Sequence, residues 1–448
     1  MSIAISRAGE HRWVALGFIA VAQLMIALDA TIVSIALPSA QMALGASDAD
    51  RQWVVTAYTL TFGGLLLLGG RIADYVGRKR AFLAGLGGFA VASMVGGAAP
   101  DFTVLVAARA AQGAFAALLA PTALSLLAVS FTAPRERATA FAVYGSIAGS
   151  GAAIGFMLGG ALTQYVSWRW CLYVSVPVAL VAAAGGAAVL PSSSRPARPR
   201  FDLPGVVLAT GGVATLVYAL SDATWLVGAA VVLLALFVLR ESRTSNPLLP
   251  PRIVLDRNRG GAYVTVALVI AAMFGAFLFL TYYFQVVHRY TPLEAGLAFL
   301  PLVVSQQAGS WLIASRLMPL VAPRVLMAPG AVVAAAGMAM LTQVPLLAEV
   351  LLGLGVSCVM VPAFSTATQK VDPREAGVAS ATVNAASQIG GSLGAALLNS
   401  IAVHAGGAVV HGFAVATGWG TVILLLAAFA SGILIDTPRP ARSRDLGA

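Results

Sequence analysis

The sequence predicts an all-α integral membrane protein of 14 transmembrane helices: two six-helix bundles with an inserted helix pair between them. Three observations carry this. Hydrophobic residues make up 59% of the 448-residue chain and charged residues 10%, and the mean hydropathy is +0.89, well outside the soluble range. The apolar residues gather into fourteen stretches of about 18–26 residues, each able to cross a roughly 30 Å hydrocarbon core. The cationic residues fall on alternate loops only.

Taken in order, the stretches lie near 13–37, 52–70, 81–99, 102–127, 138–162 and 168–190. They continue at 204–221, 224–240, 261–286, 293–315, 324–343, 346–367, 376–402 and 416–435. The first carries Asp29 and ends at Pro38. It runs past the length of a signal-peptide core and lacks a small-residue cleavage site, so it reads as a retained helix. Six stretches precede a Pro-, Ser- and Arg-rich linker, Pro191–Arg200. Two follow, joined by the short turn Ser221–Thr224, and a basic segment, Arg240–Arg259, leads into the last six. The expected organisation is a bundle over 1–190, a linker and inserted pair over 191–260, and a bundle with its tail over 261–448. Two parallel halves around a midplane site is a standard transporter plan.

Of the 27 Lys and Arg, 23 fall on one set of alternate segments. Only Arg51, Arg169 and Arg289 fall on the other, and Arg109 lies inside a span. The excess of cations marks the cytoplasmic side, so both termini are expected in the cytoplasm and the chain in the plasma membrane. The net charge of +10 is thus a topology device, and no nucleic-acid partner is expected. Cys171 and Cys358 are far apart and suggest no disulfide framework. Neither Lys79 nor Lys370 sits in a phosphate-binding loop, so no ATP site is expected. His11, His288, His404 and His411 form no metal-ligand spacing; no metal is expected.

Asp29 and Arg109 stand alone as charges in the apolar interior. An ionisable group in hydrocarbon is costly and marks function by default, with a partner expected. Counted from Pro38 and from Asp101, which opens the fourth stretch, both lie roughly 12–14 Å below the same face at 1.5 Å per residue. A carboxylate and a guanidinium at one depth on two helices could hold or release a proton, or could merely pin helix packing. The second half carries few buried acids, which argues for few protons per cycle.

Between the second and third stretches runs Gly69-Gly70-Arg71-Ile72-Ala73-Asp74-Tyr75-Val76-Gly77-Arg78-Lys79-Arg80. Gly70 and Gly77 permit a tight turn and close helix approach. Asp74 can accept charge-assisted hydrogen bonds from neighbouring Arg side chains. Gly70, Asp74, Gly77, Arg78 and Arg80 are therefore expected to form a conformational gate.

This loop resembles the signature inner loop of the major facilitator superfamily. Leu28-Asp29-Ala30-Thr31-Ile32-Val33-Ser34-Ile35-Ala36-Leu37-Pro38 resembles the first-helix motif of its fourteen-span drug:proton antiporters, and Arg109-Ala110-Ala111-Gln112-Gly113 the fourth-helix motif. Phe201-Asp202-Leu203-Pro204-Gly205, Tyr282-Tyr283-Phe284-Gln285 and Ala295-Gly296-Leu297-Ala298-Phe299-Leu300-Pro301 are similar to that branch as well. The resemblance implies two major facilitator bundles plus a central inserted pair, and a secondary exporter of drugs or similar amphipathic molecules. It implies proton coupling through Asp29 and Arg109, and no cofactor beyond the proton gradient. One departure stands out. Where the family's fifth helix has Gly-Pro ahead of Gly-Gly, this chain has Gly155-Phe156 ahead of Gly159-Gly160.

The fifth stretch keeps Gly151, Gly155 and Gly159 at four-residue spacing, a rhythm that lets helices pack closely in lipid. Met25, Gln112, Phe277, Asn384 and Gln388 are candidate walls of a substrate cavity; for the amides, plain interhelical hydrogen bonding is an equal reading. The expected partners are a small-molecule substrate, protons and membrane lipids, for a chain working as a monomer. A dedicated exporter of an endogenous antibiotic or siderophore is the alternative. A polytopic enzyme would need clustered nucleophiles at one interface and a receptor a sizeable soluble domain, and the sequence displays neither.

Overall fold

The computed structural model describes residues 2–131, 133–190, 202–221, 223–244, 247–249, 251–318, 320–368, 376–405 and 409–436. These are helical almost throughout, with no strand among them. The first helices are α1 (Ser2–Leu44), α2 (Trp53–Val76), α3 (Arg78–Gly97), α4 (Phe102–Ser130) and α5 (Pro134–Tyr165). Two pieces, α6 (Trp170–Tyr173) and α7 (Ser175–Val189), make the sixth stretch. The inserted pair is α8 (Leu203–Ser221) and α9 (Val227–Arg243), the latter entered by a 3₁₀ turn, Thr224–Leu226. Then follow α10 (Pro251–Val254), α11 (Arg257–Tyr282), α12 (Pro292–Ala298), α13 (Leu300–Leu312), α14 (Pro323–Met340), α15 (Pro345–Thr368), α16 (Ala376–His404) and α17 (Val409–Leu434).

Each of the fourteen stretches falls on helix. Among the described residues, eleven helices are long and apolar enough to cross a membrane. The other three stretches fall on α5, α8 and α16. Helices α5 and α8 are 32 and 19 residues long, and Ser, Asn and Gln dilute the apolar character of α16.

Two features differ from the sequence reading. Pro38 does not end the first helix, which continues to Leu44 with Pro38 inside it. Packed neighbours in a bundle tolerate a Pro whose missing N–H would break an isolated helix. The tenth stretch is broken at Phe299, immediately ahead of Pro301. Two π-helical stretches, Tyr283–Val287 and Ile313–Leu317, extend α11 and α13.

The chain forms two compact units, Met1–Val206 with Tyr290–Leu297, and Val207–Arg289 with Ala298–Ala448. In the first, α2 and α3 lie along α4, α1 lies along α5, and α7 rests on α1 and α3. In the second, α13 and α14 lie along α15, α11 lies along α16, and α17 rests on α11 and α14. The neighbour scheme is the same in both: α11 answers to α1, α13 to α2, α14 to α3, α15 to α4, α16 to α5 and α17 to α7.

Candidate functional site

Asp29 of α1 and Arg109 of α4 meet inside the first unit, where they are 0% and 2% exposed. Arg109 Nη1 donates to Asp29 Oδ2 at 2.6 Å and to Gln112 Oε1 at 2.9 Å, and its Nε donates to the Val54 carbonyl of α2 at 3.0 Å. Gln112 Nε2 donates to Asp29 Oδ1 at 3.1 Å and to Ser93 Oγ of α3 at 2.8 Å. The ring of Tyr58 lies under the guanidinium, 4.3 Å from Cζ to the ring centroid. Four helices thus converge on one buried carboxylate. The pair is not a two-pronged fork. One guanidinium nitrogen is shared between Asp29 and Gln112, and the second carboxylate oxygen is taken by the amide.

Local packing holds this geometry. A Cβ at Gly113 would overlap the Tyr58 carbonyl and Thr61 Oγ1, so α2 comes close to α4 beside Arg109. Thr61 Oγ1 also donates to the Ala110 carbonyl at 2.8 Å. On the far side of α1, Gly151, Gly155 and Gly159 of α5 face Ala27, Thr31 and Ile32, each too near to admit a Cβ. The small-residue rhythm is therefore the α1–α5 contact. Gly160 lies against Pro292 and Leu293, and the Phe156 carbonyl against Gly296, all within the same unit. Phe156 itself is fully buried.

Chemically, the cluster joins both oxygens of one buried carboxylate to a guanidinium and an amide, so the negative charge of Asp29 is what Arg109 pairs with.

At the gate loop, Gly77 takes φ 98°, a conformation that favours glycine, and is the single residue joining α2 to α3. The Asp74 side chain lies outside the described residues. Arg78 is half-buried and Arg80 exposed. The residue that ties this loop down was missed: Lys79 Nζ donates to the Ala187 and Leu190 carbonyls at the end of α7, at 2.7 and 2.8 Å. The helix approach assigned to Gly70 belongs to Gly69, where a Cβ would strike the Ala117 carbonyl; at Gly70 it would find only ordinary contact with Pro121.

Of the candidate cavity residues, Gln112 belongs to the Asp29 cluster and Met25 is fully buried. Phe277 is half-buried between Phe274 and Phe299 at 6.4 and 6.0 Å. Asn384 spends its amide on the Ser380 carbonyl of its own helix, at 2.8 Å, and Gln388 is half-buried.

The reading of two lone interior charges needs correction. Glu349, in α15, is 1% exposed, and neither of its oxygens has a hydrogen-bond partner among the described residues.

A family model for the major facilitator superfamily matches residues 19–395. The chain belongs to the major facilitator superfamily. Within this superfamily it is 48% identical to the puromycin resistance protein pur8 of Streptomyces alboniger, over 95% of this chain and 92% of that one. It is 37% identical to the cephamycin export protein CmcT of Amycolatopsis lactamdurans, over 94% and 91%. To the tetracenomycin C resistance and export protein of Streptomyces glaucescens it is 35% identical, over 86% and 75%. Among solved structures, it matches the POT family transporter PepTSo with a TM-score of 0.71 and 15% identity, over 97% of this chain and 99% of that one. A bacterial homolog of the human lysosomal transporter Spinster matches with a TM-score of 0.66 and 17% identity, over 95% and 97%. This major facilitator chain is a multi-pass membrane protein, and the three relatives just named are antibiotic resistance and export proteins.

Proposed function

We propose that this chain is a proton-coupled secondary transporter that exports antibiotics or similar amphipathic molecules through the plasma membrane by alternating access. The observation that carries the reading is the circuit of Asp29, Arg109 and Gln112, a buried carboxylate held by a guanidinium and an amide where residues of four helices meet. The substrate class is inferred from the relatives named for puromycin, cephamycin and tetracenomycin C.

In this cycle a proton reaching Asp29 removes its negative charge and weakens its hold on Arg109. Loss of the proton on the other side restores the pair. Since a ligand shifts an equilibrium only by its differential affinity for two states, the proton acts through that pair and the substrate through the cavity the freed helices expose. Both termini face the cytoplasm, fourteen helices cross in a six-two-six order, and the working unit is a monomer needing no cofactor but the gradient. A transporter for one endogenous antibiotic is the second reading, favoured by relatives each named for a single compound.

The test uses everted membrane vesicles with an imposed pH gradient and puromycin, cephamycin and tetracenomycin C as probes. Accumulation driven by the gradient, lost in Asp29→Asn although that variant inserts and folds normally, is the expected result. Near-normal uphill export by Asp29→Asn overturns the coupling role. Transport of one probe alone favours the dedicated exporter.

A further inference from the structure

Glu349 occupies, in the second six-helix set, the place that Arg109 occupies in the first. The correspondence is read from packing. In α4, Gly113 follows Arg109 by one helical turn and faces the Tyr58 carbonyl and Thr61 Oγ1 of α2. In α15, Gly353 follows Glu349 by the same turn and faces the Leu302 carbonyl and Ser305 Oγ of α13. The facing residues are three apart in both cases. At the level of Asp29 the match is apolar. Gly155 of α5 abuts the Leu28 carbonyl just before Asp29, and Gly394 of α16 abuts the Ala271 carbonyl just before Ala272. Leu352 stands three residues after Glu349, as Gln112 stands after Arg109; Ala272 and Leu352 are both fully buried. The second half therefore keeps the framework of the cluster and inverts its charge, with the counterparts of Asp29 and Gln112 replaced by Ala272 and Leu352.

Among the described residues, no cation reaches hydrogen-bond distance of either Glu349 oxygen, although His288, 4.6 Å from the Tyr283 ring, and Arg289 follow α11 at its far end. Gly337 of α14 packs against Ala348, so Arg324, near the other end of α14, is roughly 20 Å along that helix. Arg316, beyond α13, is a similar distance from Leu302. On α11, Arg257, Arg259 and Tyr263 lie in the first turns; the far end carries Tyr282, followed by Tyr283, whose hydroxyl donates to the Thr342 carbonyl at 3.0 Å. On α16, His404 is the last residue, exposed and bonded to the Ser400 carbonyl. Cys358 is over two turns farther along α15 itself. The Leu302 amide faces Glu349 without reaching hydrogen-bond geometry. An ionised carboxylate so placed would be a bare charge in an apolar interior; a neutral carboxyl would not.

We propose that Glu349 is a second proton-binding site, holding its proton in the conformation described here, at the pseudo-equivalent of Arg109. Its role in transport rests on the proton-coupled reading above. A proton on Asp29 breaks an ion pair, whereas a proton on Glu349 removes an unpaired charge, so the two sites respond to protons in opposite ways: one loosens its half and the other settles it. The inference also revises the stoichiometry expected from sequence, because the second half now contributes a carrier.

The experiment is infrared difference spectroscopy of the full protein in liposomes, titrated in pH without substrate. The expected result is a protonated-carboxyl band at neutral pH that vanishes in Glu349→Gln, shifts in frequency but persists in Glu349→Asp, and is unchanged in Asp29→Asn. A band unaltered by Glu349→Gln, or absent from the wild type at neutral pH, overturns the proposal. Glu349→Gln mimics the protonated form, so it is expected to fold at least as well as the wild type. If Asp29→Asn still exports uphill, the coupling role of Asp29 fails while the Glu349 band keeps its meaning.

Discussion

Arg109 reaches three oxygens through two of its nitrogens: the Val54 carbonyl, Gln112 Oε1 and Asp29 Oδ2. A lysine ammonium is a compact point charge without the planar fork that spans such a set, and it stacks less well on an aromatic face. Arg109→Lys is therefore expected to keep the protein inserted but to lose at least ten-fold in gradient-driven puromycin export, measured in everted vesicles; full activity would mean that charge alone matters there. Tyr58 supplies the ring beneath the guanidinium, and its hydroxyl has no hydrogen-bond partner among the described residues. A desolvated cation–π contact contributes about 2 kcal/mol. Tyr58→Phe should thus be near neutral, and Tyr58→Ala should lower thermal stability and export together. Of this cluster, Asp29 and Arg109 were legible because a charge inside an apolar run has no bland place to be. Tyr58 and Ser93 were not, since an aromatic or hydroxyl residue in a span serves many ends. Glu349 escaped for another reason: it sits one turn after Pro345, where a carboxylate reads as interfacial.

Helix rotation, which no loop motif reveals, separates Gly69 from Gly70. Neighbouring residues point about 100° apart around a helix, so the two meet α4 differently: Gly69 lies where a Cβ would strike the Ala117 carbonyl, and Gly70 at ordinary contact distance from Pro121. Gly69→Ala is expected to force α2 off α4 and lower the melting temperature in detergent by several degrees, while Gly70→Ala leaves it within a degree or two. Equal effects would mean that the approach is not set by this contact. Phe156 fills the position where the family's Pro would stand, and its side chain is fully buried. Truncating a packed Phe to Ala removes about 3–5 kcal/mol in well-filled interiors. Phe156→Ala should open a path for protons, read as faster decay of an imposed pH gradient in proteoliposomes without substrate, with Phe156→Pro tighter than Ala. A tight Ala variant would reduce Phe156 to packing. The spacing of Gly151, Gly155 and Gly159 was legible as a packing face, but which helix it meets was not, because periodicity marks a face without naming its neighbour.

At the scale of the whole chain, the loop charges and the repeated neighbour scheme support one topology, and the inserted pair is its weakest link. Helix α8, Leu203–Ser221, spans about 28 Å at 1.5 Å per residue, close to the thickness of a roughly 30 Å core. Local thinning of the bilayer costs only a fraction of a kcal/mol per Å of mismatch, so a crossing remains affordable. The alternative is a re-entrant pair that dips in and returns without reaching the outer face. Thr224, at the turn between α8 and α9, distinguishes the two. With Cys171 and Cys358 replaced by Ser, a single cysteine at Thr224 should react with a membrane-impermeant maleimide added outside intact cells, and one at Ser443 in the tail only after permeabilisation. If the Thr224 cysteine reacts only from the cytoplasmic side, the pair does not cross and the chain has twelve spans. Both six-helix sets would still begin in the cytoplasm, because removing an even number of crossings leaves the orientation of every later helix unchanged. That outcome would cost the fourteen-span assignment without touching the placement of Asp29, Arg109 or Glu349.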